Sequence, residues 1–270
     1  MALDDIASAV AAVRERIDAA CARSGRKTDE VRLMGVSKFH PLEAVEAAWK
    51  AGLTLFGESR VQEAAGKFSG GAGAVFRESH PEMELHMIGS LQRNKAKTAV
   101  SLFDCVQSVD RDELITELGK HASARVKGGN ASIRVNGGDA SARVKGGDAS
   151  IREAQGFAPL GVLLELNAGE ESKSGYLGED ALLRGAEKLL AIPGLVARGL
   201  MIMAPLTGDT AAIRRAFRSL TALQARLRSR FPEGDWSCLS MGMSGDFETA
   251  IEEGSTLVRI GTAIFGKRGT

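Results

Sequence analysis

Eight times along the chain, a short apolar run is followed by a stretch whose apolar residues recur every three or four positions. A run of the first kind reads as a strand, and the stretch after it as an amphipathic helix. The runs are Val31–Lys38, Leu53–Phe56, Glu84–Ile88, Phe103–Val109, Leu160–Asn167, Leu195–Met203, Ser237–Met241 and Thr256–Ile260. Strands joined by helical crossovers lie parallel. Eight of them predict an α/β chain folded as a (β/α)8 TIM barrel, one domain over residues 1–270. An extra helix, Leu3 to Arg23, precedes the barrel, with Ile6, Val10, Val13 and Ile17 on one face. Helices are also expected at Val61–Phe68, Thr210–Arg230 and Phe247–Glu252, whereas Ser69 to Ala74, small and flexible, reads as a loop. A doubly wound open sheet is the alternative, but its fingerprint, Gly-x-Gly-x-x-Gly after the first strand, is missing.

One stretch breaks the pattern. Arg125, Arg134, Arg143 and Arg152 recur every nine residues, and the first three each open a unit such as Arg-Val-Lys-Gly-Gly-Asn-Ala-Ser-Ile. Such units hold too few apolar side chains to form a core, and their Gly-Gly pairs raise the entropy cost of ordering. Ala122 to Gln155 is therefore expected to be a surface insertion that interrupts the barrel, with a small β-ribbon or partner-binding arm as the other reading.

Composition removes several function classes. A net charge of +1 provides no basic field for nucleic acid or anionic lipid. No apolar run approaches the roughly 20 residues that span a bilayer. Residues Met1 to Ala12 carry Asp4 and Asp5 and lack the pattern of a secretory signal. Cys21, Cys105 and Cys238 match no disulfide framework and no zinc spacing. The expectation is a cytoplasmic protein with no nucleic-acid or membrane partner.

The chemistry concentrates at strand ends. Val31 to Pro41 reads as strand, turn and helix, with Lys38 at the carboxyl end of the strand, where such folds build their sites. A lysine held partly out of water there has a lowered pKa, and its neutral amine attacks aldehydes. The loops after strands seven and eight are a frequent phosphate site in barrels. Here they are Met241 to Gly245 and Gly261 to Ala263, which makes Ser240, Ser244, Gly261 and Thr262 candidate phosphate ligands. Tight turns alone would also account for these glycines. Arg259 stands inside an apolar run, where an unpaired charge is costly. It either faces the outer layer and pairs with an acid, or reaches the barrel mouth and faces a ligand heteroatom.

Seven ordered segments carry a resemblance. They are Gly35–Lys38, Phe56–Glu58, His86–Lys95, Lys173–Gly175, Arg198–Met201, Leu239–Ser244 and Val258–Gly266. Together they resemble the pyridoxal phosphate homeostasis protein family, also called proline synthetase co-transcribed proteins, whose barrel is similar to the N-terminal domain of alanine racemase. The resemblance runs from about Leu3 to Lys267, apart from the repeats. It implies pyridoxal 5′-phosphate (PLP, a form of vitamin B6) held as a Schiff base on Lys38. It also implies phosphate contacts from Ser240, Gly261 and Thr262, and Arg259 near the ring nitrogen. Ser244, Ser59 and Met201 complete the expected cofactor-binding set. Where the family usually has Gly-Glu-Asn-Tyr, this chain has Gly57-Glu58-Ser59-Arg60.

The implied role is buffering or delivery of the cofactor by a monomer, with PLP-dependent client enzymes as partners and no established catalysis. The alternative is a PLP-dependent, racemase-like enzyme. That chemistry needs a second acid or base opposite the lysine. Tyr176, the single tyrosine, and His86 and Lys173 are the residues that could supply it.

Overall fold

The computed structural model describes residues 3–122, 159–170 and 174–266. Eight parallel strands close into a barrel in sequence order. They are β1 (Arg32–Val36), β2 (Leu55–Glu58), β3 (Glu84–Met87), β4 (Cys105–Val109), β5 (Leu160–Leu166), β6 (Leu195–Ile202), β7 (Cys238–Ser240) and β8 (Leu257–Ile260). The seam is the β1–β8 ladder, which runs from Arg32 opposite Leu257 to Gly35 opposite Ile260. The expected barrel is therefore present, and the open sheet is not.

The helices between the strands are α2 (Leu42–Lys50), α3 (Val61–Phe68), α4 (Gly71–Ser79), α5 (Ala96–Leu102), α6 (Asp112–Ala122), α7 (Glu179–Leu190), α8 (Thr210–Arg230) and α9 (Phe247–Glu252). A short α10 (Thr262–Phe265) follows β8, and α1 (Leu3–Arg23) precedes β1. Ile6, Val10, Val13 and Ile17 of α1 are buried as their spacing requires, and α1 packs on α2, α9 and α10. Helix α8 starts where Asp209 accepts a hydrogen bond from the Ala211 N–H at 2.8 Å, satisfying an orphan donor of the first turn.

One expectation fails. The expected loop Ser69 to Ala74 shrinks to Ser69 and Gly70, because α4 begins at Gly71. Gly73 explains the error, since a Cβ there would lie 1.8 Å from the Lys67 carbonyl oxygen at the end of α3. That glycine permits close packing rather than flexibility. The nine-residue repeats with Arg125, Arg134, Arg143 and Arg152, and Lys173, lie outside the described residues.

Strand parity divides the barrel's side chains. Leu33, Phe56, Leu85, Met87, Val106, Leu164 and Val258 face the helices in one large apolar core. Met34, Val36, Leu55 and Leu257 form one interior cluster, and Cys105, Leu163 and Met201 form another. Gly57 sits on the inner side, where a Cβ would meet the Met34 sulfur at 2.6 Å. By the same parity Glu84, His86, Gln107, Glu165, Ser240 and Arg259 point inward. The barrel interior is thus apolar in two patches and polar between them.

Candidate functional site

Lys38 lies two residues beyond β1, in the turn before α2, and is half-buried. It continues the parity of Met34 and Val36. No hydrogen bond or ion pair holds its amine among the described residues. The next residue, Phe39, adopts φ 67°, the left-handed region that non-glycine residues rarely occupy. That conformation costs about 1–2 kcal/mol and is held from both sides. The Phe39 N–H donates to Glu63 of α3, and the Arg60 guanidinium lies 5.2 Å over the Phe39 ring. Strain maintained at this cost collects at functional positions.

A second lysine is close by and is committed. Lys67 of α3 donates to the Ser37 carbonyl at 2.8 Å and to Glu58 Oε1 at 2.6 Å. Glu58 is fully buried, and the Ser37 hydroxyl also donates to its Oε1, at 2.8 Å. Oε2 has no partner among the described residues. Burial pushes the Glu58 carboxyl up, against the Lys67 charge that pulls it down. This outward cluster clamps the residue before Lys38 and leaves Lys38 as the available amine.

The loops after β7 and β8 lie beside that turn. A Cβ on Gly261 would sit 3.5 Å from the Val36 Cβ and carbonyl oxygen, and the His40 ring stacks on Phe265 of α10. Ser244 accepts a hydrogen bond from the Ala263 N–H at 3.4 Å, which joins the two loops. Gly242 holds φ +98° against the Cα of Phe247, a turn closed to larger residues. Thr262 is exposed at the mouth, and Ser59 is half-buried at the end of β2.

Three of the expected cofactor-binding residues, Ser240, Arg259 and Met201, are placed deeper. The Ser240 hydroxyl is fully buried and donates to Gln107 at 2.6 Å. It also accepts from Arg259 at 2.6 Å. Arg259 donates further to the Ser240 and Ile202 carbonyls, at 2.7 and 3.0 Å, so its outward-facing reading is overturned. Burial pushes its pKa down to about 10, which leaves it charged at neutral pH. Met201 is fully buried on the inner side of β6, opposite Ser240 and Glu165.

Sequence reasoning missed Glu165. It is buried in β5, accepts from the Ser174 hydroxyl at 3.0 Å, and is raised by burial to about 7. A lone acid in the apolar run Leu160–Asn167 was the signal. The two described residues offered as a second acid or base are engaged. Tyr176 donates to Asp112 at 2.9 Å, and burial raises its pKa further. His86 bonds Gln107 at 2.8 Å and Glu84 at 3.3 Å inside the barrel.

Comparison with known proteins fixes the class. Residues 9–269 match the family described as "Alanine racemase, N-terminal domain". The chain is 36% identical to the pyridoxal phosphate homeostasis protein of Vibrio cholerae over 95% of this chain and 93% of that one. A crystal structure of a protein of unknown function from Bifidobacterium adolescentis superposes with a TM-score of 0.81 at 32% identity, covering 97% and 95% of the two chains. PipY of Synechococcus elongatus, solved with PLP bound, superposes with a TM-score of 0.72 at 28% identity, covering 97% and 100%. Within the alanine racemase N-terminal-domain class, the chain belongs to the pyridoxal phosphate homeostasis protein family.

Proposed function

We propose that this protein binds PLP at the carboxyl-terminal mouth of its barrel, covalently through Lys38, and holds or delivers it in cofactor homeostasis. The observation that carries this reading is the amine of Lys38. It is half-buried, free of partners among the described residues, and set on a strained turn packed against the loop after β8. The donor set fits the cofactor. When bound, PLP supplies an aldehyde carbon that a primary amine can take and a phosphate that needs N–H and O–H donors. In this reading Gly261, Thr262 and Ser244 take the phosphate, supported by the Ala263–Ser244 hydrogen bond that joins their two loops. Ser240 belongs to the same site through Arg259, because its hydroxyl is already engaged. In this reading Arg259 supplies a fixed cation beneath, Met201 is buried beside it on the barrel's inner side, and Ser59 stands at the end of β2. Glu58 and Lys67 hold the strand end in place.

Holding is favoured over turnover. A racemase-like reaction needs a second proton-transfer group opposite Lys38, and Tyr176 and His86 are both occupied by neighbours. Handover to PLP-dependent client enzymes is the finer reading. Phe39, Leu177, Leu206 and Met243 support it, being large apolar side chains exposed on the loops after β1, β5, β6 and β7. In this reading the protein works as a monomer in the cytoplasm, where its three unpaired thiols stay reduced. No described helix is long and apolar enough to cross a membrane.

Adding PLP to the purified protein tests the reading. A new absorption band near the visible edge is expected, absent in Lys38→Ala. An identical band in the variant would contradict it.

A further inference from the structure

A line of hydrogen bonds crosses the barrel interior from β8 to β3. Arg259 donates to the Ser240 hydroxyl at 2.6 Å, and Ser240 donates to Gln107 Oε1 at 2.6 Å. Gln107 Nε2 lies 2.8 Å from His86 Nδ1. His86 Nε2 lies 3.3 Å from Glu84 Oε2, and Arg32 donates to Glu84 Oε1 at 2.7 Å. Ser240, Gln107, His86 and Arg259 are all buried, so each bond matters.

The direction of every bond follows from its fixed end. A guanidinium only donates, so the Ser240 oxygen accepts from Arg259 and its single proton goes to Gln107. That assigns the carbonyl of the Gln107 amide to Ser240 and its NH2 to His86. His86 Nδ1 must then carry a lone pair, and its proton sits on Nε2, facing the Glu84 carboxylate. Flipping the amide would put its NH2 on Ser240 and leave the buried serine proton without its Gln107 acceptor, at the cost of an unmade bond.

We propose that Gln107 and His86 are positioning residues for Arg259, acting through the Ser240 hydroxyl in a one-directional hydrogen-bond chain across the barrel. Gln107 holds the Ser240 proton away from Arg259, so the serine oxygen always presents a lone pair to the guanidinium. Without that acceptor the hydroxyl rotates, and Arg259 loses one of its fixed contacts beneath the mouth. The effect on a bound cofactor rests on the PLP reading above, whereas the tautomer of His86 does not.

Two variants of Gln107 separate positioning from packing. Gln107→Leu keeps the volume and removes the acceptor. Gln107→Glu keeps an acceptor for Ser240 and offers a second to His86 Nδ1. A positioning role predicts that Leu weakens PLP binding about tenfold and shifts the absorption band of bound PLP. It also predicts that Glu recovers both to within about twofold. A packing role predicts the reverse order, because a buried charge costs more than a leucine. Imidazole nitrogen shifts of the cofactor-free wild type are expected to show His86 protonated on Nε2 alone, and the Glu variant to show both nitrogens protonated. A wild-type His86 protonated on Nδ1 would overturn the proposal, whether or not the Leu variant folds. Equal affinities and bands across the three proteins would overturn it as well. A wild type that gives no band refutes the PLP reading instead, and the nitrogen shifts then judge the chain of bonds alone.

Discussion

His40 lies stacked on Phe265, with ring centroids 5.3 Å apart and planes inclined by 30°. The contact ties the turn that carries Lys38 to the helix after β8, the two halves of the proposed cofactor site. Burial, and then the Lys67 charge, push the His40 imidazole below its ordinary pKa, so the ring stacks in its neutral form. An aromatic pair of this kind contributes about 1 kcal/mol beyond its buried area. His40→Ala is expected to weaken PLP binding about fivefold while leaving the far-ultraviolet dichroism of the barrel unchanged. An affinity equal to wild type would remove the stack from the account.

Glu165 gives the protein a stability that depends on pH. Its folded pKa of about 7 is raised by burial above the ordinary carboxylate value of 4.5. The folded state therefore binds this proton more tightly than the unfolded chain. The group's contribution is full below pH 4.5 and is lost as pH rises through 7. At about 1.4 kcal/mol per pKa unit, the loss is on the order of 3 kcal/mol. Denaturant unfolding of wild type and Glu165→Gln at pH 5 and pH 8 reads it directly. The variant should gain on wild type between the two pH values, and parallel profiles would refute the assignment.

The Lys67–Glu58 pair makes the opposite kind of prediction. Both side chains are nearly inaccessible, at 7% and 0% exposure, and their atoms approach to 2.6 Å. Removing one member of a buried pair leaves an uncompensated charge and costs about 3–5 kcal/mol. Lys67→Met should cost that much at pH 8 and less at pH 5, where Glu58 can protonate. Adding Glu58→Gln should restore part of the loss. A loss that stays the same at both pH values would show that the carboxylate is not what the lysine serves.

Much of the barrel was legible because its logic is local. Apolar runs of strand length alternated with helical spacing, and α3, α8 and α9 begin and end where the sequence placed them. Helix α4 was hidden because Gly70, Gly71 and Gly73 mimic a loop, and only the approach of Lys67 shows that Gly73 serves packing. Lys38 was legible from its place after a strand, and Arg259 from a charge in an apolar run. Their surroundings were not. Ser240 and Gln107 are 133 residues apart in the chain and meet only because β4 and β7 face each other across the barrel. Glu58, Lys67 and Glu165 were passed over for the same reason, since a charge is explained by a partner that sequence spacing does not reveal.

The central claim is that one amine, Lys38, takes the aldehyde. Borohydride reduction of the PLP-loaded protein, followed by proteolysis and mass mapping, tests it most directly. A single phosphopyridoxyl adduct on the peptide containing Lys38 is the predicted result. An adduct on Lys67 or on another lysine, with Lys38 unmodified, would contradict the account.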